Sequence, residues 1–598
     1  MELITMTKPA RSLPHFAEPD IERIERDGDV LLRSRVAIGE YAVSVSEWLR
    51  RWAQERPDTT FLAERPGGDP TQPWRTISYA DMWQRAQALG QALLDLGLSQ
   101  TRPIALLSGA SIDHASLVMA GHLVGVPIVP VSEAYSLLAT TTDRLEYIVG
   151  HTDAGAVFAS SGEMFGRALD LFTGRALITG DGSRGVSLAD MLATAPTEIV
   201  DAAAATISGD TIAKILFTSG STGLPKGVIT THRMLCANQE SIFAGWPFLE
   251  HEPPVICDWL PWSHTFGANH NLNIVLRNGG TMYIDGGRPT PDRLNITVAN
   301  LVDVQPTMAF NVPAGWARLV EALEGAPEYA ATFFEHLRVA FYAGSALSND
   351  VWDRLTTLID EHAPAQVSMA AGWGMTETGP ASVAVHMELD GPGIVGTPLA
   401  GVTVKLVPAG SKTELRVVGP SITPGFFNDD ERTQLAFDEE GYLITGDAVK
   451  LIDDADPNKG IVFDGRIAED FKLSTGTWVS AGTLRTQVVA ACSPYVLDAV
   501  ITGHDKDWIG LIIWLTPGQS DSPDVRAAIS TALASHNAGG GGSSSRIARV
   551  AIESAMPSID AGEMTDKGYI NQRAVIENRA ATVEALHATT APDHITVI

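Results

Sequence analysis

A short apolar run that breaks into small hydroxylated residues, ILFTSGSTGLPKG at 215–227, constrains this chain more than any other stretch. Ile215, Leu216 and Phe217 read as a buried strand. Thr218, Ser219, Gly220, Ser221, Thr222 and Gly223 follow. Glycines let the backbone bend tightly and approach a ligand. Successive backbone N–H groups in such a bend form a concavity suited to anions, and the hydroxyls add donors. Lys226 supplies a positive charge that suits phosphate. A flexible Gly/Ser linker is the bland alternative, but linkers rarely follow a strand and rarely end in Pro-Lys-Gly. The spacing of a Walker A loop, G-x-x-x-x-G-K-[ST], is absent.

TSGSTGLPKG resembles the signature loop of the adenylate-forming enzymes: acyl- and aryl-CoA ligases, luciferases and nonribosomal peptide adenylation domains. The resemblance implies an enzyme that joins a carboxylic acid to AMP, with pyrophosphate leaving. It implies an α/β fold: a large N-terminal body of mixed and parallel sheets sandwiched by helices, a β-barrel-like subdomain, and a small mobile α+β C-terminal domain. The expected limits are 1–464 for the body, 465–470 for the hinge and 471–598 for the mobile domain.

Further motifs keep this register. DWLPWSHTFG at 258–267 sets one histidine among apolar residues. Alone, His264 reads as a structural group hydrogen-bonded in place. LPWSHTFG is similar to the family's second signature, where this histidine gates the acid pocket. Trp262, Phe266 and Ala346 would wall that pocket. The turn Gly344-Ser345-Ala346 would lie along the adenine. In GWGMTETG (Gly372, Trp373, Gly374, Met375, Thr376, Glu377), Thr376 offers a hydroxyl to phosphate and Glu377 a carboxylate to Mg²⁺. Trp373 stands where the family has tyrosine, a flat face for adenine. A helix N-cap at Thr376 is the alternative. Asp447, closing GYLITGD, would accept hydrogen bonds from ribose hydroxyls; as a bare turn it would be unremarkable.

DGRIAEDFK at 464–472 resembles the family's domain junction, with Arg466 on ribose or phosphate. The position of the usual hinge acid or lysine is Ala468, followed by Glu469 and Asp470. PSIDAGEMTDKGYINQ at 557–572 resembles the final signature, whose lysine binds the α-phosphate and the attacking carboxylate. By register this is Lys567, and a solvated surface lysine is the alternative. Lys472 would serve the second step, in which a thiol displaces AMP after the small domain rotates. ATP, Mg²⁺ and coenzyme A are the implied cofactors.

AEDFKLSTGTWVS and GEMTDKGYINQRAV are most similar to bacterial feruloyl-CoA synthases, so the expected acid is a hydroxycinnamate. The alternatives are a medium-chain or other aryl acyl-CoA ligase and, in another class, an inactive nucleotide or acyl-CoA sensor. No carrier domain is visible, so free CoA is the expected acceptor.

The chain has 598 residues, more than one core usually holds, so a large body plus a smaller piece is expected. Its net charge of −29 argues against a nucleic-acid binder and against docking on anionic membranes. Cys236, Cys257 and Cys492 have no metal spacing and read as buried free thiols, in keeping with a cytoplasmic protein. A homodimer is compatible with these numbers. Gly539–Ser545 (GGGGSSS) reads as a flexible surface loop. Residues 1–40 lack a period and are expected to wrap the surface.

Apolar spacing predicts helices over Val45–Glu55, Asp81–Leu98, Ala115–Leu123, His232–Ser241 and Val525–Ser535. Strands are predicted at Pro103–Ser108, Val126–Val131, Gly155–Ala159 and Ala176–Thr179. Val402–Val407 and Thr413–Val418 read as a hairpin. The C-terminal part is expected to place strands near Ala499–Thr502, Trp508–Leu515 and Ile547–Ile552.

Overall fold

Helices form where apolar residues recur every three or four positions. In Tyr79–Asp95, Met82, Ala86, Leu89 and Leu93 make a stripe with no exposed surface. The Ser78 side chain starts this helix by accepting from the Asp81 N–H. These features belong to a computed structural model, which describes residues 16–218, 224–540, 542–564 and 570–598.

Ile104–Leu107, Ile128–Pro130, Ala156–Ala159 and Ala176–Thr179 are parallel neighbours in a seven-stranded sheet. The first three are buried throughout, which is why they read as continuous apolar runs. Ile212–Thr218 joins this sheet beside Ile128–Pro130 and turns back into Lys226–Thr231.

A second sheet of fifteen strands has a parallel half and an antiparallel half. The parallel half includes Val255–Asp258, Met308–Asn311, Val339–Ala343 and Ser368–Gly374. The antiparallel arm runs on from it and contains the expected hairpin, Thr403–Ala409 with Lys412–Val418.

Residues 21–34 correct the expectation of a surface wrap. Ile21–Arg26 and Asp29–Ser34 form a hairpin that pairs with Thr403–Ala409 and ends the arm. The turn is Asp27-Gly28, both at positive φ. An Asp-Gly pair is a hairpin signal. It was masked here because IERIER does not alternate apolar with polar.

Beyond Phe471 the chain builds its own apolar cores. Val496–Thr502, Ile509–Leu515, Ile547–Ile552 and Ile595–Val597 form a separate four-stranded sheet. The helix Pro523–Ala538 packs on it, and the preceding helix Ala481–Ala491 carried no expectation. Of the glycine-serine segment, 542–544 forms a short 3₁₀ turn, with Ser543 Oγ 3.1 Å from Thr477 Oγ1; Gly541 lies outside the described residues. The three cysteines are buried and free. Among the described residues no helix is long and apolar enough to cross a membrane.

Candidate active site

The bend after Phe217 is the connection of a β-hairpin. Thr218 and Lys226 face each other as its last paired residues. Ser219, Gly220, Ser221, Thr222 and Gly223 lie outside the described residues. The Thr218 hydroxyl is buried without a hydrogen-bond partner among the described residues. An orphaned hydroxyl at the root of such a loop suits a ligand that brings its own acceptor.

Lys226 reaches across to Glu377, with Nζ 2.7 Å from Oε1. The Glu377 side chain is 3% exposed and that of Lys226 27%. At this distance the ammonium and the carboxylate form a close, charge-assisted ion pair. The ammonium also lies 4.6 Å from the centre of the Phe426 ring. The segment around Phe426 is laid along the hairpin by Ile229 N–H to Gly425 O and Phe427 N–H to Gly227 O. Thr423 N–H donates to Glu377 O at 2.8 Å, so the same segment fixes the acid's backbone.

Thr376 and Glu377 lie within a three-residue 3₁₀ turn at the end of Ser368–Gly374, both nearly buried. Thr376 therefore caps no helix. At Gly374 a Cβ would meet Pro380 O at 2.0 Å, so only glycine fits there. Trp373 is 7% exposed, and its Nε1–H donates to Asp447 Oδ2 at 2.9 Å. Arg466 Nε is 3.4 Å from Asp447 Oδ1. Burial pushes the Asp447 carboxyl above its ordinary range, against the pull of Arg466 and Trp373. Trp373 is thus a strut for Asp447 as well as a candidate face for adenine.

Gly344, Ser345 and Ala346 are exposed just past the C-terminal end of Val339–Ala343, and Ala343 pairs with Gly372. Parallel α/β sheets bind ligands at such strand ends. His264 begins the turn into a π-helix, Phe266–Asn271, and its Nδ1 accepts from Phe266 N–H at 3.3 Å. Phe266 faces His270, Phe310 and Phe341, an aromatic cluster under that strand end. Trp262 is buried edge-on against His114, 5.5 Å away.

Several groups carried no motif. Asp258 Oδ2 accepts from Asn271 Nδ2 at 2.8 Å, and Asn271 Oδ1 lies 2.9 Å from His270 Nδ1. Burial raises Asp258 to about 7 and lowers His270 to about 4. Lys214, inside the strand that feeds the loop, is buried with Nζ 3.1 Å from Asn269 Oδ1, and burial lowers its amine to about 7. The only sequence signal was a lysine inside an otherwise apolar strand.

Lys472 belongs to the C-terminal part. It lies on a two-stranded ribbon, 4.9 Å over the Trp478 ring. At the junction Ala468 sits in the 3₁₀ turn Ile467–Glu469. Asp470 beside it pairs with Lys412 at 2.5 Å, both side chains nearly buried. Lys567 lies outside the described residues.

Among the described residues no three His, Cys, Asp or Glu side chains gather as a metal site. Glu377, a buried carboxylate whose Oε1 faces the Lys226 ammonium, fits an ion that takes most of its ligands from phosphates and water.

Residues 49–427 match the family model described as AMP-binding enzyme, and 470–591 the one described as AMP-binding enzyme C-terminal domain. A carboxylic acid reductase of Segniliparus rugosus is 25% identical over 578 residues, 86% of this chain and 47% of its own; this chain thus spans about half of that relative. A 4-hydroxybenzoate–CoA/benzoate–CoA ligase of Rhodopseudomonas palustris is 29% identical over 481 residues, 75% of this chain and 80% of its own. Among solved structures, the A domain of the S. rugosus reductase, in complex with AMP and a co-purified carboxylic acid, superposes with a TM-score of 0.71. It covers 91% of this chain and 94% of its own at 20% identity, a likeness of fold.

Proposed function

The chain belongs to the AMP-binding enzyme family, and on that premise we propose that it activates a hydroxycinnamate-type acid with ATP and passes the acyl group to coenzyme A. The observation that supports this most is that two contacts tie three distant motifs together. Lys226 meets Glu377, and Trp373, four residues before Glu377, holds Asp447.

The chemistry joins two anions, so charge and position do most of the work. Lys226 and the hydroxyl-rich bend would take the β- and γ-phosphates. Mg²⁺ on Glu377 would supply charge neutralisation between phosphate oxygens. Asp447, held by Trp373 and Arg466, would accept the ribose hydroxyls. Lys567 would bind the α-phosphate as the acid attacks it. His264, Phe266 and Ala346 would border the acid, and the cluster Phe266, Phe310, Phe341 favours a flat ring. The ferulate-type substrate rests on the resemblance of the C-terminal motifs, and the benzoate ligase relative supports an aromatic acid.

In this reading 1–464 is the body, 465–470 the hinge and 471–598 the mobile domain, and Lys472 serves the thiol step after rotation. The test is AMP release with ATP, CoA and an acid panel. Ferulate, p-coumarate or caffeate should be turned over fastest. Faster turnover of hexanoate or benzoate would assign another acid. AMP release that ignores CoA would point to another acceptor, as the reductase relative invites. No AMP from any acid would favour a sensor.

A further inference from the structure

After Ile552 the chain leaves its own small sheet, and Ile559 and Asp560 reach the large body. Ile559 packs against the body's apolar cluster, which includes Tyr135, Leu145 and Phe165. Asp560, next to it, caps an exposed turn of the body. Its Oδ2 accepts from Thr140 N–H at 2.9 Å and from Thr140 Oγ1 at 2.6 Å, while Oδ1 is 3.4 Å from Thr141 N. These donors, and the Arg144 charge, hold the carboxyl below its ordinary range.

The crossing segment is braced from its own side. Glu563 accepts from Ser558 N–H and from Arg579, Arg579 also reaches Glu553, and Asn578 Nδ2 donates to Ala561 O. Asp560 therefore moves with the small unit. Another contact between the two parts sits at the junction. Lys412 Nζ donates to Asp464 O at 2.6 Å and Ser480 Oγ at 3.1 Å, and pairs with Asp470. A rotation about 465–470 displaces residues beside the pivot little and distant ones much. Lys412 can keep its partners, whereas Asp560 must leave Thr140. The Asp560 contact thus weighs on one arrangement only, and a contact present in one of two states sets their ratio.

The arrangement it favours can be named. Lys472 is exposed beside Trp478, whose ring borders Gly410 at the tip of a body hairpin. The segment that leads towards Lys567 is the one laid on the body. Resting on the two-step reading above, we propose that Asp560, seated on Thr140 and Thr141, is a positioning residue that holds the small unit in place for formation of the acyl-AMP.

The experiment separates the half-reactions. In Asp560→Ala, acid-dependent ATP–pyrophosphate exchange should fall about tenfold, the scale of losing a charge-assisted contact. Thiolysis of supplied acyl-AMP by CoA should stay within about twofold. Thr140→Val, which keeps the backbone donor, should show the same split more weakly, and Asp560→Asn should recover part of the exchange. Equal losses in both steps, or undiminished exchange, would overturn the proposal. A second readout needs no substrate: fluorescence transfer between labels on the body and the small unit. Asp560→Ala should shift that distance distribution away from the wild-type one, and an unchanged distribution would overturn the proposal. If wild type makes no acyl-AMP but the distance still shifts, the functional reading has failed and the positional role of Asp560 stands.

Discussion

Lys226 Nζ stands 2.7 Å from Glu377 Oε1, yet the carboxylate is buried and the ammonium reaches solvent. The pair joins the loop hairpin to the turn after Ser368–Gly374, two segments far apart in sequence. Removing the lysine leaves a buried carboxylate uncompensated, which is costly. Lys226→Ala should therefore lower stability by about 1–3 kcal/mol, discounted for the exposed ammonium. It should also raise KM for ATP. Glu377→Gln should cost less stability but raise the Mg²⁺ needed for half-maximal rate. Thermal melts and Mg²⁺ titrations check both. Unchanged Mg²⁺ dependence in Glu377→Gln would remove that residue from the metal.

Trp373→Phe keeps a flat ring and deletes the N–H on Asp447. If the ring alone matters, ATP affinity should hold. If the strut matters, affinity should fall by about tenfold, the scale of a hydrogen bond to a charged group. The second outcome is expected. Burial already raises Asp447, and Trp373 partly offsets this. Without that donor the ionised form is harder to keep, so the acid limb of ATP binding should move to higher pH. ATP affinity measured from pH 5 to 8 decides.

Lys567→Ala should lower acyl-AMP formation by orders of magnitude and spare thiolysis of supplied acyl-AMP. Lys472→Ala should do the reverse. Lys472 is exposed beside Trp478, and a selective loss of the first step in Lys472→Ala would contradict its assignment. Single-turnover assays of each half-reaction give the answer.

What the sequence disclosed was local. The strand that runs into Thr218 and the buried stripe of Tyr79–Asp95 are each written in consecutive residues, so spacing and composition expose them. What it withheld was pairing at a distance. Lys412 and Asp470 meet across the junction, although Ala468 stands at the position of the family's usual hinge acid or lysine. Trp373 looked like a bare stacking face because its partner lies 74 positions away. The hairpin at 21–34 is local, but it is an outer strand pair whose exposed faces erase the two-residue alternation.

Lys214 gives a prediction with a definite sign. Its amine is buried on the strand that enters the loop, bonded to Asn269, which in turn donates to Thr265 beside His264. The titratable groups facing it are His114, His122 and His232, all held neutral at pH 7 by burial. The folded pKa of Lys214 is about 7, against an ordinary value of 10.5. Between these two values the unfolded chain binds the extra proton, so stability must rise with pH across that window. The expected slope is about 1.4 kcal/mol per pH unit from this one group. Asp258, raised to about 7, acts below that window, where rising pH costs stability. Lys214→Met fills the same space without an amine but leaves Asn269 Oδ1 without this donor. Its stability relative to wild type should therefore be greatest at pH 7 and decline steadily toward pH 10. Urea unfolding of both proteins at intervals of one pH unit measures the difference. Parallel curves would mean that the amine is charged in the folded protein, held by a partner or water that offsets its burial.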